Sequence, residues 1–107
     1  ILISEKKNLF ISEDTTIGHN VIIKDSIIKE NCLIGMGSVI DSDVKVESNS
    51  IVAANSFVKS GTKIESGSLY AGNPAKLFRK INSNDNSMIT LTNKTYKNYI
   101  IQYKGEE

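Results

Sequence analysis

The chain reads as a mostly β protein, a parallel β-helix of hexapeptide repeats followed by a C-terminal α-helix. Three observations predict it. Ile11, Ile17, Ile23, Ile28, Ile34, Ile40, Val46, Val52, Val58, Ile64 and Tyr70 recur every six residues, with one five-residue step from Ile23 to Ile28. Three residues after each stands Asp14, Asn20, Ser26, Asn31, Gly37, Asp43, Asn49, Asn55, Gly61, Gly67 or Asn73, and all but Ser26 are types that tolerate positive φ. A longer period overlies the short one: Ile17-Gly18-His19-Asn20, Ile34-Gly35-Met36-Gly37, Val52-Ala53-Ala54-Asn55 and Tyr70-Ala71-Gly72-Asn73 recur at steps of 17, 18 and 18. A helix would repeat near 3.6 and a lone strand at 2. A period of six, grouped in threes, fits short rungs around a triangular coil.

The elements follow in order. Residues 1–10 read as an earlier, less regular rung, and the repeat runs to residue 74. Inward Ile and Val should stack as a narrow dry core, with backbone groups paired between coils as in any parallel sheet. On the repeated face the outward residues are Thr16, Leu33, Ile51 and Leu69 before the inward position, and Gly18, Gly35, Ala53 and Ala71 after it. Such a wall of large apolar and very small residues should be covered by a helix or by another subunit. The next face mixes Ile22, Val39 and Phe57 with Lys24, Asp41 and Lys59. The third carries Ile27, Lys45, Lys63, Lys29, Glu47 and Glu65 and should be solvated.

Pro74 closes the repeat. Residues 75–86 read as a linker ending in a polar, turn-forming stretch. Residues 87–104 read as a helix packed on the prism, with Ser87 as N-cap and Gly105 as a stop. Met88, Leu91, Thr95, Tyr99 and Gln102 form one stripe, and Ile89, Tyr96, Ile100 and Tyr103 the next. Its threonines make this helix weak without the prism. A terminal repeat needs a cap, so upstream coils or another cover are expected before Ile1.

Composition narrows the function. A chain of 107 residues suits one domain, and a start at Ile1 suggests a fragment or processed chain. No apolar run is long enough to span a bilayer. A net charge of +1 points to no nucleic-acid partner. Lone Cys32 excludes an intrachain disulfide, and the single His19 restricts metal chemistry. Phosphate-binding loops, paired catalytic carboxylates and nucleophile constellations are absent; Gly35-Met36-Gly37 is explained as a corner, and the basic run Lys76 to Lys80 as the exit from the prism.

Residues 16–81 resemble the γ-class carbonic anhydrase-like proteins of the hexapeptide superfamily. The resemblance rests on Thr16-Ile17-Gly18-His19-Asn20, on Leu33-Ile34-Gly35-Met36-Gly37-Ser38, and on Ser66 through Lys76. It implies a left-handed coil and a trimer. It also implies a metal held at each subunit interface by three His from two neighbouring chains. His19 matches the first His of a pair five residues apart; Lys24 occupies the second position, and the third falls near or upstream of Ile1. An ammonium at Lys24 would repel a dication. No cofactor is therefore expected, and zinc only if ligands come from outside this segment.

The segment Asn73 through Lys80 is particularly similar to a mitochondrial branch of these proteins, and the resemblance implies a catalytically degenerate assembly subunit. It would form a homotrimer or mixed trimer through the Thr16, Leu33, Ile51 and Leu69 face, in a mitochondrial setting with respiratory complex I as the larger partner, or otherwise in the cytoplasm. Two alternatives stay open. A hexapeptide acyltransferase would use acyl-coenzyme A with His19 as general base. An active zinc-type carbonic anhydrase would draw its ligands from upstream or partner chains.

Overall fold

The computed structural model describes residues 2–3 and 9–91. Its strands are mostly two residues long, one to each side of a three-sided coil. In order they are β1 Leu2–Ile3, β2 Phe10–Ile11, β3 Thr16–Ile17, β4 Ile22–Ile23, β5 Ile27–Ile28, β6 Leu33–Ile34, β7 Val39–Ile40, β8 Lys45–Val46, β9 Ile51–Val52, β10 Phe57–Val58 and β11 Lys63–Ile64, then the longer β12 Ser68–Gly72 and β13 Ala75–Lys80. Strands from successive coils pair in parallel into three sheets. The β4 side runs β1-β4-β7-β10, the β5 side β11-β8-β5-β2, and the β6 side β13-β12-β9-β6-β3. The chain is thus a β-solenoid of hexapeptide repeats, as the period predicts.

Alternation within each two-residue strand separates core from surface. Ile23, Ile28, Ile34, Ile40, Val46, Val52, Val58 and Ile64 are fully buried and form the axial core with Ile17. Their neighbours face outward in register: Ile22 with Val39 and Phe57, Ile27 with Lys45, and Thr16 with Leu33, Ile51 and Leu69. On the β5 side Lys29 pairs with Glu47 at 3.2 Å and Lys63 with Glu65 at 3.9 Å, a solvated face.

Asn20, Asn31, Gly37, Asp43, Asn49, Asn55, Gly61 and Gly67 turn corners at positive φ, as expected of them. Asp14, Ser26 and Asn73 do not. Ser26 lies on the five-residue step, where the corner residue itself is missing. Its hydroxyl points inward, donating to the Asp41 carbonyl at 2.8 Å and accepting the Val44 N–H at 3.1 Å. In the last coil Gly72, at φ 109°, takes the turn instead of Asn73.

Ser26 belongs to a second inward series, two residues before each aliphatic position. Thr15, Val21, Ser26, Cys32, Ser38, Val44, Ser50, Ser56 and Ser68 are all buried. Their polar groups join one coil to the next. Ser38 donates to the Ala53 carbonyl and Ser50 to the Glu65 carbonyl, each at 2.9 Å, and the Cys32 thiol to the Glu47 carbonyl at 3.1 Å. Thr15 does the same to Lys29. Burial and the loss of hydration push the Cys32 thiol up to about 11.

The exit from the prism differs from expectation. Residues 75–86 are not a plain linker: β13 folds back antiparallel on β12. The helix, α1, begins at residue 83 rather than 87 and is described to residue 91. Asn82, not Ser87, caps it: the Asn82 side chain accepts the Asp85 N–H at 2.9 Å, and the Asp85 carboxylate accepts the Asn82 N–H at 2.8 Å. This reciprocal pair is a capping box with Asp in the acidic place. Asp85 and Ile89 face inward and are buried, whereas Met88 and Leu91 are exposed. Thr95, Tyr96, Tyr99, Ile100, Gln102, Tyr103 and Gly105 lie outside the described residues.

Candidate functional site

The corner between β3 and β4 carries His19. The coils approach closely here: a Cβ on Gly18 would stand 2.7 Å from the Met36 backbone nitrogen, and one on Gly35 would stand 2.5 Å from that of Ala54. Only glycine fits both places. The Gly37 N–H donates to the His19 carbonyl at 2.9 Å, which fixes the corner while the imidazole stays exposed.

Lys24 stands past β4, at the next corner. Its ammonium lies 3.7 Å from Asp41, the equivalent residue one coil on, with the Lys24 and Asp41 side chains 50% and 30% exposed. Asp41 is held in turn, its carboxylate accepting the Ser42 N–H at 2.7 Å. Between the two corners Ile22, Val39 and Phe57 form a half-buried apolar column. The site is therefore a strip of apolar surface, bounded by an exposed imidazole on one edge and a lysine–aspartate pair on the other.

A tetrahedral zinc with an open catalytic position needs three protein ligands. No group of three His, Cys, Asp or Glu able to hold a metal occurs among the described residues. Lys24, a cation paired with Asp41, sits where the family resemblance calls for a second imidazole. The described residues of one chain do not by themselves fit a zinc centre.

The eight positions expected at an interface lie together on the β6 side. Thr16 and Ile51 are buried, and Gly18, Leu33, Gly35, Ala53, Leu69 and Ala71 are half-buried. Arg79 pairs in register with Leu69 and so shares the outward row. Its guanidinium grips Asp85 in a fork, at 2.6 and 3.1 Å, which ties the start of α1 to the end strand of this sheet. Ile51 and Ile89 are both buried and stand outside the axial core. Thr16 of the first coil is buried as well, and Met36, at the corner beyond Gly35, is 58% exposed.

The Arg79–Asp85 fork escapes a reading by period, because its residues lie beyond the repeat. A signal existed in Asn82 and Asp85, spaced as a capping box. The Arg79 guanidinium, followed by the Asn82 N–H, holds the Asp85 carboxyl below its ordinary value. Lys29 does the same to Glu47.

Comparisons with known proteins agree with this geometry. Residues 25–60 match the family model described as bacterial transferase hexapeptide (six repeats). The chain is 48% identical over 82 residues to a carbonic anhydrase of Geobacillus kaustophilus (strain HTA426), an alignment covering 77% of this chain and 45% of that one. The chain thus spans a little under half the length of that relative. A crystal structure of a Bacillus cereus protein, provisionally described as an acetyltransferase, superposes with a TM-score of 0.84 at 31% identity, covering 98% of this chain and 61% of the other. A hexapeptide transferase family protein of Anaplasma phagocytophilum shares the fold, with a TM-score of 0.70 at 24% identity over 87% of this chain and 64% of that one. Repeat, coil and likenesses together support the hexapeptide-repeat superfamily, within which this chain is similar in sequence to a carbonic anhydrase.

Proposed function

We propose that the chain is a carbonic anhydrase-like assembly subunit that has lost metal-dependent chemistry and works as one member of a trimer, of like or related chains. The observation that carries this reading is the Lys24–Asp41 pair. An ammonium paired with Asp41 lies where the carbonic anhydrase-like proteins this chain resembles would carry an imidazole ligand, and it brings a positive charge instead of a lone pair. Hexapeptide-repeat proteins of this kind commonly form trimers. The contact surface proposed is the part of the β6 side centred on half-buried Leu33, Gly18 and Gly35 and continued by exposed Met36. Placement in a mitochondrial respiratory assembly belongs to the same proposal and rests on the Asn73 to Lys80 resemblance.

The test pairs light scattering with CO2 hydration on the assembly isolated under native conditions. A particle three times the chain mass, hydrating CO2 no faster than buffer, is expected; a monomer, or a hydration rate proportional to protein, contradicts the proposal. The likeness to the Bacillus cereus structure favours a second reading, acyl transfer with exposed His19 as general base. It requires coenzyme A to raise the thermal midpoint, and requires His19→Ala to abolish turnover.

A further inference from the structure

The described residues leave seven large apolar side chains exposed, and the two on β13 differ from the rest in setting. β13 is the edge of the five-stranded sheet. Its pairing with β12 shifts between Leu69 and Tyr70: Leu69 faces Arg79 and Tyr70 faces Leu77, so Phe78 is the extra residue of a β-bulge with no partner opposite. Phe78 is 69% exposed and Leu77 51%. Lys76 and Lys80 flank them, both exposed and in no ion pair among the described residues. The strand contains no carboxylate.

We propose that β13 docks a short acidic segment of a protein partner, in which carboxylates flank apolar side chains. Phe78 is the anchor, Leu77 widens the contact, and Lys76 and Lys80 supply the complementary charge. Aromatic side chains are enriched in the cores of protein interfaces. The bulge rules against simple strand addition along this edge, since it breaks the regular backbone ladder that an added strand would extend. Charge rules against a second copy paired antiparallel about Phe78, because Lys76 would then face Lys80 of the other copy. Two free lysines fall short of the four to eight cations typical of anionic-membrane patches. β13 belongs to the same sheet but lies at the opposite end from β3, away from the subunit contact proposed around Gly18, Leu33 and Gly35, so either proposal can fail alone.

The probe is a dye-labelled Glu-Glu-Leu-Phe-Glu-Glu peptide, titrated into the full chain and followed by fluorescence anisotropy. Saturable binding is expected, weakened at least tenfold by Phe78→Ser and by Lys76→Glu with Lys80→Glu. A peptide with lysine replacing glutamate should not bind. These residues are exposed, and an unchanged thermal midpoint verifies that the variants fold. Absence of saturable binding, or equal binding by the variants, overturns the proposal. So does Phe78-dependent binding to vesicles of 30% phosphatidylserine in phosphatidylcholine, which assigns the strip to a membrane. A dimer dissolved by Phe78→Ser also overturns it, by assigning the strip to a second copy.

Discussion

Ser50 and Ser68 hold equivalent places in successive coils, both with buried hydroxyls, yet they do different jobs. Ser50 donates to the Glu65 carbonyl of the coil beyond. Ser68 ends the series among the described residues: β13 folds back on β12 there, and the Ser68 hydroxyl has no partner among those residues. Removing a buried donor strands its acceptor at a cost of about 1–3 kcal/mol, whereas removing an already orphaned hydroxyl releases a desolvation penalty. Ser50→Ala should therefore lower the urea midpoint clearly, and Ser68→Ala should leave it unchanged or raise it. Gly35→Val tests the close approach of coils, since its Cβ would meet Ala54 backbone rather than a side chain able to move aside. A loss of about 1–3 kcal/mol or more is expected by denaturant unfolding, in line with core overpacking. Cys32 is buried and its thiol is pushed up to about 11 by desolvation, so iodoacetamide at pH 8 should modify it only after unfolding. The sequence shows the aliphatic positions because Ile and Val stand out at any spacing. The inward Ser, Thr and Cys positions share the same period, but they are small, polar residues of the kind that also populate turns. This is why Ser26 reads as a corner until its hydroxyl is seen bonded to Asp41.

At the scale of elements, the junction from β13 to α1 depends on one charged group. Asp85 is gripped by Arg79 and caps α1 through the Asn82 N–H, contacts that favour its ionised form and lower its pKa. A depressed folded-state pKa contributes stability above the unfolded value, near 3.8 for aspartate, and that contribution is lost as pH falls through the lower folded value. Asp85→Asn should lower the thermal midpoint at pH 6, and the gap to the native chain should narrow as pH drops below about 4. A gap constant with pH would mean that the capping geometry, not the charge, holds the junction. This junction was poorly legible in the sequence. Ala75 to Lys80 lacks the alternation of a half-buried strand because every residue after Ala75 is exposed. By sequence alone Ser87 reads as the cap; what decides for Asn82 is Asp85, placed to return the bond and to meet Arg79 from the neighbouring strand.

At the scale of the molecule, stacking makes a rigid three-sided post whose sides differ in chemistry. The β5 side carries the ion pairs of Lys29 and Lys63, the β6 side carries the apolar and small residues with α1 tethered at its β13 end, and the β4 side carries the apolar column between His19 and Lys24. Period and corner chemistry made the post legible. They left the β13 end illegible, because it depends on where α1 is tethered. If Leu33, Gly18 and Gly35 form the subunit contact, Met36→Glu should convert the assembly to monomers by light scattering without shifting the far-ultraviolet spectrum, since Met36 is exposed within one chain. The central claim is that Lys24 and Asp41 have displaced metal chemistry from this surface. Elemental analysis of the native assembly, sized in the same run, tests it most directly. A trimer without stoichiometric zinc, cobalt or iron is the predicted result; one metal ion per subunit interface would contradict the account and return hydration chemistry to the chain.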